Sequence, residues 1–122
     1  MSISNYAELK ILEHTTGTTA WTMPTNAYVK LHLGDPGEAA TSNAAVEATR
    51  KVSAWAAAAS GAIATSATIE WTNVSTTETY THWSLWDAST AGNALWTGAL
   101  SASAAVTAGD TFQITTLTLS LD

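Results

Sequence analysis

The sequence predicts a mainly β fold, namely an antiparallel β-sandwich or jelly-roll-like domain with a short N-terminal helix. Three observations predict it. After residue 26, apolar and polar residues alternate with a period of two, as in strands that bury one face. Turn-forming segments rich in Gly, Asn, Asp and Thr separate these stretches at short intervals. The chain has 122 residues, which is enough for one domain with a hydrophobic core.

Residues 2–15 are predicted to form the helix. Ser4 or Asn5 is the expected N-cap, and Gly17 is the expected stop. Its apolar residues recur at helical spacing but form only a narrow stripe, so we expect a peripheral helix that contacts a neighbouring molecule more than the core. The stripe consists of Ile3, Tyr6, Leu9 and Leu12.

Residues 15–26 follow as a linker that lets the helix move, and Trp21 is expected to pin this linker to the body. The predicted organisation is therefore an N-terminal helix and linker over residues 1–26 and a single β-sandwich domain over residues 27–122.

The strands are predicted from period-two alternation and from the turns between them. In the first, Val29 and Leu31 fall on one face and Lys30 and His32 on the other. The motif GDPG ends this strand in a tight turn. The predicted strands cover residues 27–33, 67–74, 80–87, 94–100 and 111–122.

Residues 38–66 leave two alternatives open. Their alanine content favours a helix by intrinsic propensity. However, no convincing apolar stripe appears at helical spacing, and with period two Val52 and Ala54 oppose Lys51 and Ser53. The residues themselves do not decide between helix and strand.

Charge and composition exclude several classes of function. Four basic residues face ten acidic ones, giving a net charge of −6. Binding of nucleic acid or of an anionic membrane depends on clustered Lys and Arg, so neither is an expected partner. The chain has no cysteine, which excludes disulfides, thiolate metal sites and a cysteine nucleophile. The N-terminus does not have the pattern of a secretory signal, so an extracellular location implies another route of release, such as lysis.

No catalytic, cofactor-binding or metal-binding residues are expected. Asp35, Asp87 and Asp110 each stand at a predicted turn, where a carboxylate accepts backbone N–H bonds. The histidines lie in different elements, without the close spacing of metal ligands. They are His14, His32 and His82.

The most aromatic part of the sequence is the predicted hairpin of residues 80–100. Trp83 and Trp86 are three residues apart on one strand, so they point to opposite faces. Trp83 shares its face with Leu85 and is assigned to the core. Trp86 shares its face with His82 and Ser84 and is assigned to a contact face, because an exposed Trp is typical of an interface. The alternative use of Trp86 or Trp21 is as a stacking platform for a glycan.

Four strings in this order resemble a family of small tailed-phage virion structural proteins, commonly described as tail-fibre or minor structural proteins. They are LHLGDPGE (31–38), THWSLWDASTAGNALWTGAL (81–100), VTAGDTFQI (106–114) and LTLSLD (117–122). The resemblance covers roughly residues 2–122 and favours a strand over residues 48–56.

The resemblance implies a non-enzymatic structural protein of the virion, assembled in the host cytoplasm and released by lysis. The compact chain and its acidity favour a capsid decoration or minor capsid protein in many copies. A tail-fibre or tail-tip subunit and a host-glycan-binding module are the alternatives. Expected partners are copies of the chain and other virion proteins, either major capsid or tail proteins. The candidate interface residues are Trp86, Trp21, His82, Ile3, Tyr6, Leu9 and Leu12.

Overall fold

The computed structural model describes residues 1–22 and 24–121. Met23, in the predicted linker, and Asp122, the last residue of the predicted closing strand, lie outside the described residues. Within them the chain forms one helix and nine strands. These are β1 (Ser2–Ile3), α1 (Asn5–Thr15), β2 (Ala27–His32), β3 (Lys51–Ser53), β4 (Ala62–Ala64), β5 (Ile69–Trp71), β6 (Glu78–Trp86), β7 (Ala94–Val106), β8 (Phe112–Ile114) and β9 (Thr118–Ser120).

The strands form one large sheet and two small ones, and the paired strands are antiparallel. The large sheet has the order β1-β7-β6-β2-β3, while β4 pairs with β9 and β5 pairs with β8. Side chains from all three sheets meet in one hydrophobic core, which gives a sandwich-like arrangement. The predicted mainly β fold with a short N-terminal helix is confirmed.

Helix α1 is shorter than the predicted segment 2–15, although one of the two expected N-cap residues, Ser4, caps it and Gly17 follows its end. The Ser4 hydroxyl accepts a hydrogen bond from the N–H of Ala7 and caps the helix. Gly17 follows the C-cap with φ +73°, and its N–H donates to the carbonyl of His14. Residues 2 and 3 are not helical, because they pair with β7 as strand β1.

The Ala-rich segment 38–66 is not helical. Of the strand that the resemblance favours over residues 48–56, only β3 (Lys51–Ser53) is present. Turns prevent a continuous helix here, since Gly37, Ala40 and Asn43 all have positive φ. Residues 33–50 instead cross one face of the large sheet as a loop. The Leu33 N–H donates to Asn43 and the Ala45 N–H donates to Leu31, so the loop is fastened to the end of β2.

The predicted closing strand 111–122 is two strands, β8 and β9, because its halves pair with different partners. Leu117 and Leu119 are buried as their alternation predicts, whereas Leu121 is 53% exposed. Strand β7 also continues beyond its predicted end, and residues 100–103 bulge opposite Thr81 of β6.

The main core lies between the large sheet and the two small sheets, and all its fully buried members follow residue 28. They are Val29, Leu31, Ala45, Ile69, Trp71, Val74, Tyr80, Trp83, Leu85, Val106, Ile114, Leu117 and Leu119. In the part of the chain that the structure describes, the helix is too short and too polar to cross a membrane.

Candidate functional site

The β6–β7 hairpin places Trp83 in the core, as predicted. The side chain is 2% exposed and packs in the same cluster as Leu85. Its ring lies over Gly98 of the neighbouring strand, where an added Cβ would stand 2.5 Å from the ring atom Cζ2. The ring N–H donates to the carbonyl of Ala99 at 3.3 Å. Trp83 is therefore a structural residue.

Trp86 lies in a separate cluster from Trp83, as the opposite faces of a strand require, but the expectation that it stands near the surface is wrong. It is only 8% exposed and packs against Ala40 and Ala94. The Arg50 guanidinium covers one face of the ring, 3.7 Å from its centroid. The physical reason is the loop 33–50, which crosses this face of the sheet and supplies both Ala40 and Arg50.

The covered ring is held by a buried polar chain. The Trp86 ring N–H donates to the Ser84 hydroxyl at 2.8 Å, and this hydroxyl lies 2.7 Å from Nε2 of His32. Nδ1 of His32 lies 2.9 Å from the carbonyl of Ser42. A neutral imidazole that donates from Nδ1 and accepts at Nε2 satisfies every member of this chain.

Burial is the largest cause that lowers the pKa of His32 from its ordinary value of 6.5. The nearby Lys30 and His82 lower it further, and the Ser42 carbonyl opposes them. His82, one of the candidate interface residues, is half-buried, and its Nδ1 lies 2.8 Å from the Thr81 hydroxyl.

Acidic side chains fasten loops. The predicted turn roles are confirmed, because Asp35, Asp87 and Asp110 accept the N–H groups of Gly37, Asn93 and Thr107, respectively. Among the described residues, no three His, Asp or Glu side chains converge as metal ligands would.

Two further acids bind backbone groups in a way that sequence reasoning missed. Both Glu78 carboxylate oxygens accept N–H groups, from Val46 and Glu47, and Glu47 in turn accepts the N–H of Ser75. These contacts join residues about 30 positions apart, so no local pattern signals them. Burial, with the carboxylates of Glu78 and Glu47 nearby, raises the pKa of the core residue Tyr80 to about 12.

The predicted stripe on the N-terminal helix divides in the structure. Ile3 belongs to β1 and faces Trp96, and Tyr6 packs edge-on against Trp21, with ring centroids 6.3 Å apart. Leu9 and Leu12 remain exposed. The peripheral position of the helix is confirmed, since only Ala7 of it is buried. Its start is nevertheless fixed to the hairpin, because Ser4 bonds to the backbone of Ala94 and Leu95.

A groove of about 300 Å³ separates this helix from the nearby strands. We call it the helix–sheet groove. Trp21 lines it, half-buried, and its backbone N–H donates to Nδ1 of His14, which joins the linker to the helix. None of the lining side chains is ionisable. The lining residues are Ile11, Trp21, Ala58, Gly61, Ala62, Ile63, Trp96, Leu119, Ser120 and Leu121.

The described residues form apolar surfaces suited to contact with other molecules. Stacking of a glycan on the face of Trp86 that Arg50 occupies is blocked, and the groove around Trp21 is poor in the polar groups that orient a sugar. An apolar groove with half-buried Trp side chains is typical of protein–protein contact.

Comparison with known proteins agrees with a virion role. No curated protein matches the chain. A family profile described as podophage GP4 fiber I protein gp80 matches residues 2–122. The match supports the resemblance to tailed-phage virion structural proteins at the level of a phage fibre family. Because it spans nearly the whole chain, the protein belongs to the podophage GP4 fiber I protein gp80 family.

Proposed function

We propose that the protein is a non-catalytic structural subunit of a podophage tail fibre, working by contact with copies of itself and with other virion proteins. The observation that carries this proposal is the family match over residues 2–122, since the family is described as a fibre protein. The fold agrees with it, because a β-sandwich with apolar surface grooves supplies contact area on a rigid frame.

The chemistry of the described side chains supports a structural role. Asp35, Asp87 and Asp110 fasten turns, and Glu47 and Glu78 bind loop backbone. Groups used in this way stabilise the fold. The informative experiment therefore determines where the protein is located in the virion, and an activity assay does not.

The fibre description supports a position on the tail over the capsid decoration that sequence reasoning favoured. Cryo-electron microscopy of the intact particle, with gold-labelled antibody raised against the folded chain, tests this position. Density and label at the tail, with few copies per particle by quantitative mass spectrometry, are the expected result. Label spread over the head, with copies in the hundreds, would contradict the proposal and favour a decoration protein.

A further inference from the structure

Residues 34–44 form a flap over one face of the large sheet. The backbone hydrogen bonds of an antiparallel bridge between His32 and Ala44 close the base of this flap. Beyond the base, the backbone bonds of the flap run between its own residues, as from the Ser42 N–H to the Pro36 carbonyl. The flap is therefore a unit with its own turns, joined to the sheet by backbone only at its base.

Two side chains of the sheet hold the outer part of the flap. The His32 ring lies 2.9 Å from the Ser42 carbonyl, and Trp86 packs against Ala40. These contacts lie outside the main core, whose described buried members include no residue of the flap. Lifting the flap would therefore expose His32 and Trp86 and leave the main core intact.

A cleft of about 340 Å³ already borders the flap. It lies between Glu38 and Thr41 of the flap, the start of α1 and the tip of the β6–β7 hairpin, and Trp86 also lines it. The flap is thus not packed closely against the hairpin tip on this side. Opening it would widen a space that exists in the closed state.

The protonation state of His32 decides whether the closed flap satisfies its buried hydrogen bonds. In the neutral ring, Nε2 accepts from the Ser84 hydroxyl, which itself accepts from the Trp86 ring N–H. In the imidazolium both ring nitrogens are donors, so the proton of the Ser84 hydroxyl loses its acceptor. Ser84 is fully buried, and an unsatisfied donor there destabilises the closed flap.

The charged groups around His32 add to this cost. Lys30 on the same strand and His82, its cross-strand partner on β6, both oppose a positive charge on the ring. The other cations of the packed elements are Arg50 in the loop and Lys51 on β3.

The carboxylates of the same elements do not offset that charge. Glu38 is exposed, and the others accept backbone N–H groups, namely Asp35, Glu47, Glu78 and Asp87. Among the described residues, none of them forms an ion pair with His32. A protonated ring thus lacks a counter-ion there while the flap is closed, and water reaches it only when the flap lifts.

We propose that the flap is a pH-sensitive lid, which covers Trp86 while His32 is neutral and opens when His32 takes up a proton. The open state presents the Trp86 ring and a widened cleft to solvent. The proposed fibre role does not depend on this device, which governs when one surface of the subunit becomes accessible.

The test uses the absence of cysteine in the chain. Ala40→Cys places a thiol beneath the flap, where Ala40 is 1% exposed, and Ala39→Cys places one at the exposed neighbouring position. Each full chain is labelled with dithiodipyridine, a disulfide reagent that also reacts with thiols at acidic pH, at about pH 7.5 and about pH 5.5. The ratio of the Ala40→Cys rate to the Ala39→Cys rate cancels the pH dependence of the thiol reaction itself.

We expect this ratio to rise about tenfold at the lower pH, as proton linkage predicts when His32 is protonated only in the open state, with its ordinary pKa of 6.5. The rise should persist with His82→Gln, which removes the other histidine beside the ring, and should vanish with His32→Asn. A ratio that does not change with pH would overturn the proposal. So would a rise that survives His32→Asn or one that needs His82.

Ala45→Cys distinguishes a lifted flap from an unfolded chain. Ala45 is 4% exposed in the main core, just beyond the base of the flap. At the lower pH, labelling at Ala40→Cys should be clearly faster than at Ala45→Cys, because a local opening requires less free energy than global unfolding. Equal rates at the two sites would overturn the flap, even if the particle shows the protein on the tail.

Discussion

At the scale of single residues, His32 links the loop 33–50 to the sheet. Its side chain is fully buried between the Ser42 carbonyl and the Ser84 hydroxyl. Because burial lowers its pKa below 6.5, the folded chain takes up this proton less readily than the unfolded chain does. The contribution of neutral His32 is therefore fully present above about pH 6.5 and is lost as the pH falls below that value.

We accordingly expect the free energy of unfolding to fall between about pH 7.5 and about pH 5.5, a window above the ordinary carboxylate pKa values. Urea unfolding followed by tryptophan fluorescence measures it. His14→Gln, at an exposed histidine, is the control that should keep this pH dependence. His32→Asn should lower stability and remove most of the dependence. A midpoint that does not change with pH in the unchanged chain would contradict the buried neutral imidazole.

Trp83 and Trp86 are both buried, so both alanine variants should lose stability. Trp83→Ala is expected to cost about 3–5 kcal/mol, as truncations of large core residues do. Trp86→Ala should cost somewhat less, about 2–4 kcal/mol, because the covering loop and Arg50 can collapse toward the space. Chemical denaturation measures both, with the exposed Val52→Ala as control. A Trp86→Ala chain as stable as the unchanged one would mean that the ring is not covered.

At the scale of elements, the pairing of β6 with β7 depends on a glycine. Gly98 faces Trp83 across the two strands, and the indole ring occupies the space of the missing side chain. We expect Gly98→Ala to destabilise the protein by about 1–3 kcal/mol, because a buried ring cannot move away freely.

A double-mutant cycle identifies the cause of that loss. If it comes from the ring, Gly98→Ala should cost clearly less in a Trp83→Leu background than in the unchanged chain. Equal costs in the two backgrounds would assign the effect to the backbone of β7 instead.

At the scale of the whole molecule, the N-terminal segment is attached to a core that it does not build. Among the residues that the structure describes, the buried members of the main core begin at Val29, whereas β1 and the start of α1 bond to β7. A chain that lacks residues 2–15 should therefore keep a β-type circular dichroism spectrum while its melting temperature falls. An unfolded product would show that the division into residues 1–26 and 27–122 is wrong.

Local chemistry in the sequence was enough to predict the strands of the hairpin, an N-cap at Ser4 or Asn5, the stop at Gly17 and the turn roles of three aspartates. Each of these depends on residues within a few positions of one another: alternation, capping or an Asx turn. The opposite faces of Trp83 and Trp86 follow from the geometry of one strand in the same way.

Longer-range features were decided only by the tertiary structure. The chain by itself determined that one face of β6 carries Trp86, but only the path of the loop 33–50 decided that Ala40 and Arg50 cover it. Likewise, alternation predicted one closing strand, and only its two partners, β5 and β4, divided it. Helix propensity failed over residues 38–66, because burial and pairing against distant residues outweigh an intrinsic preference of less than about 1 kcal/mol per residue.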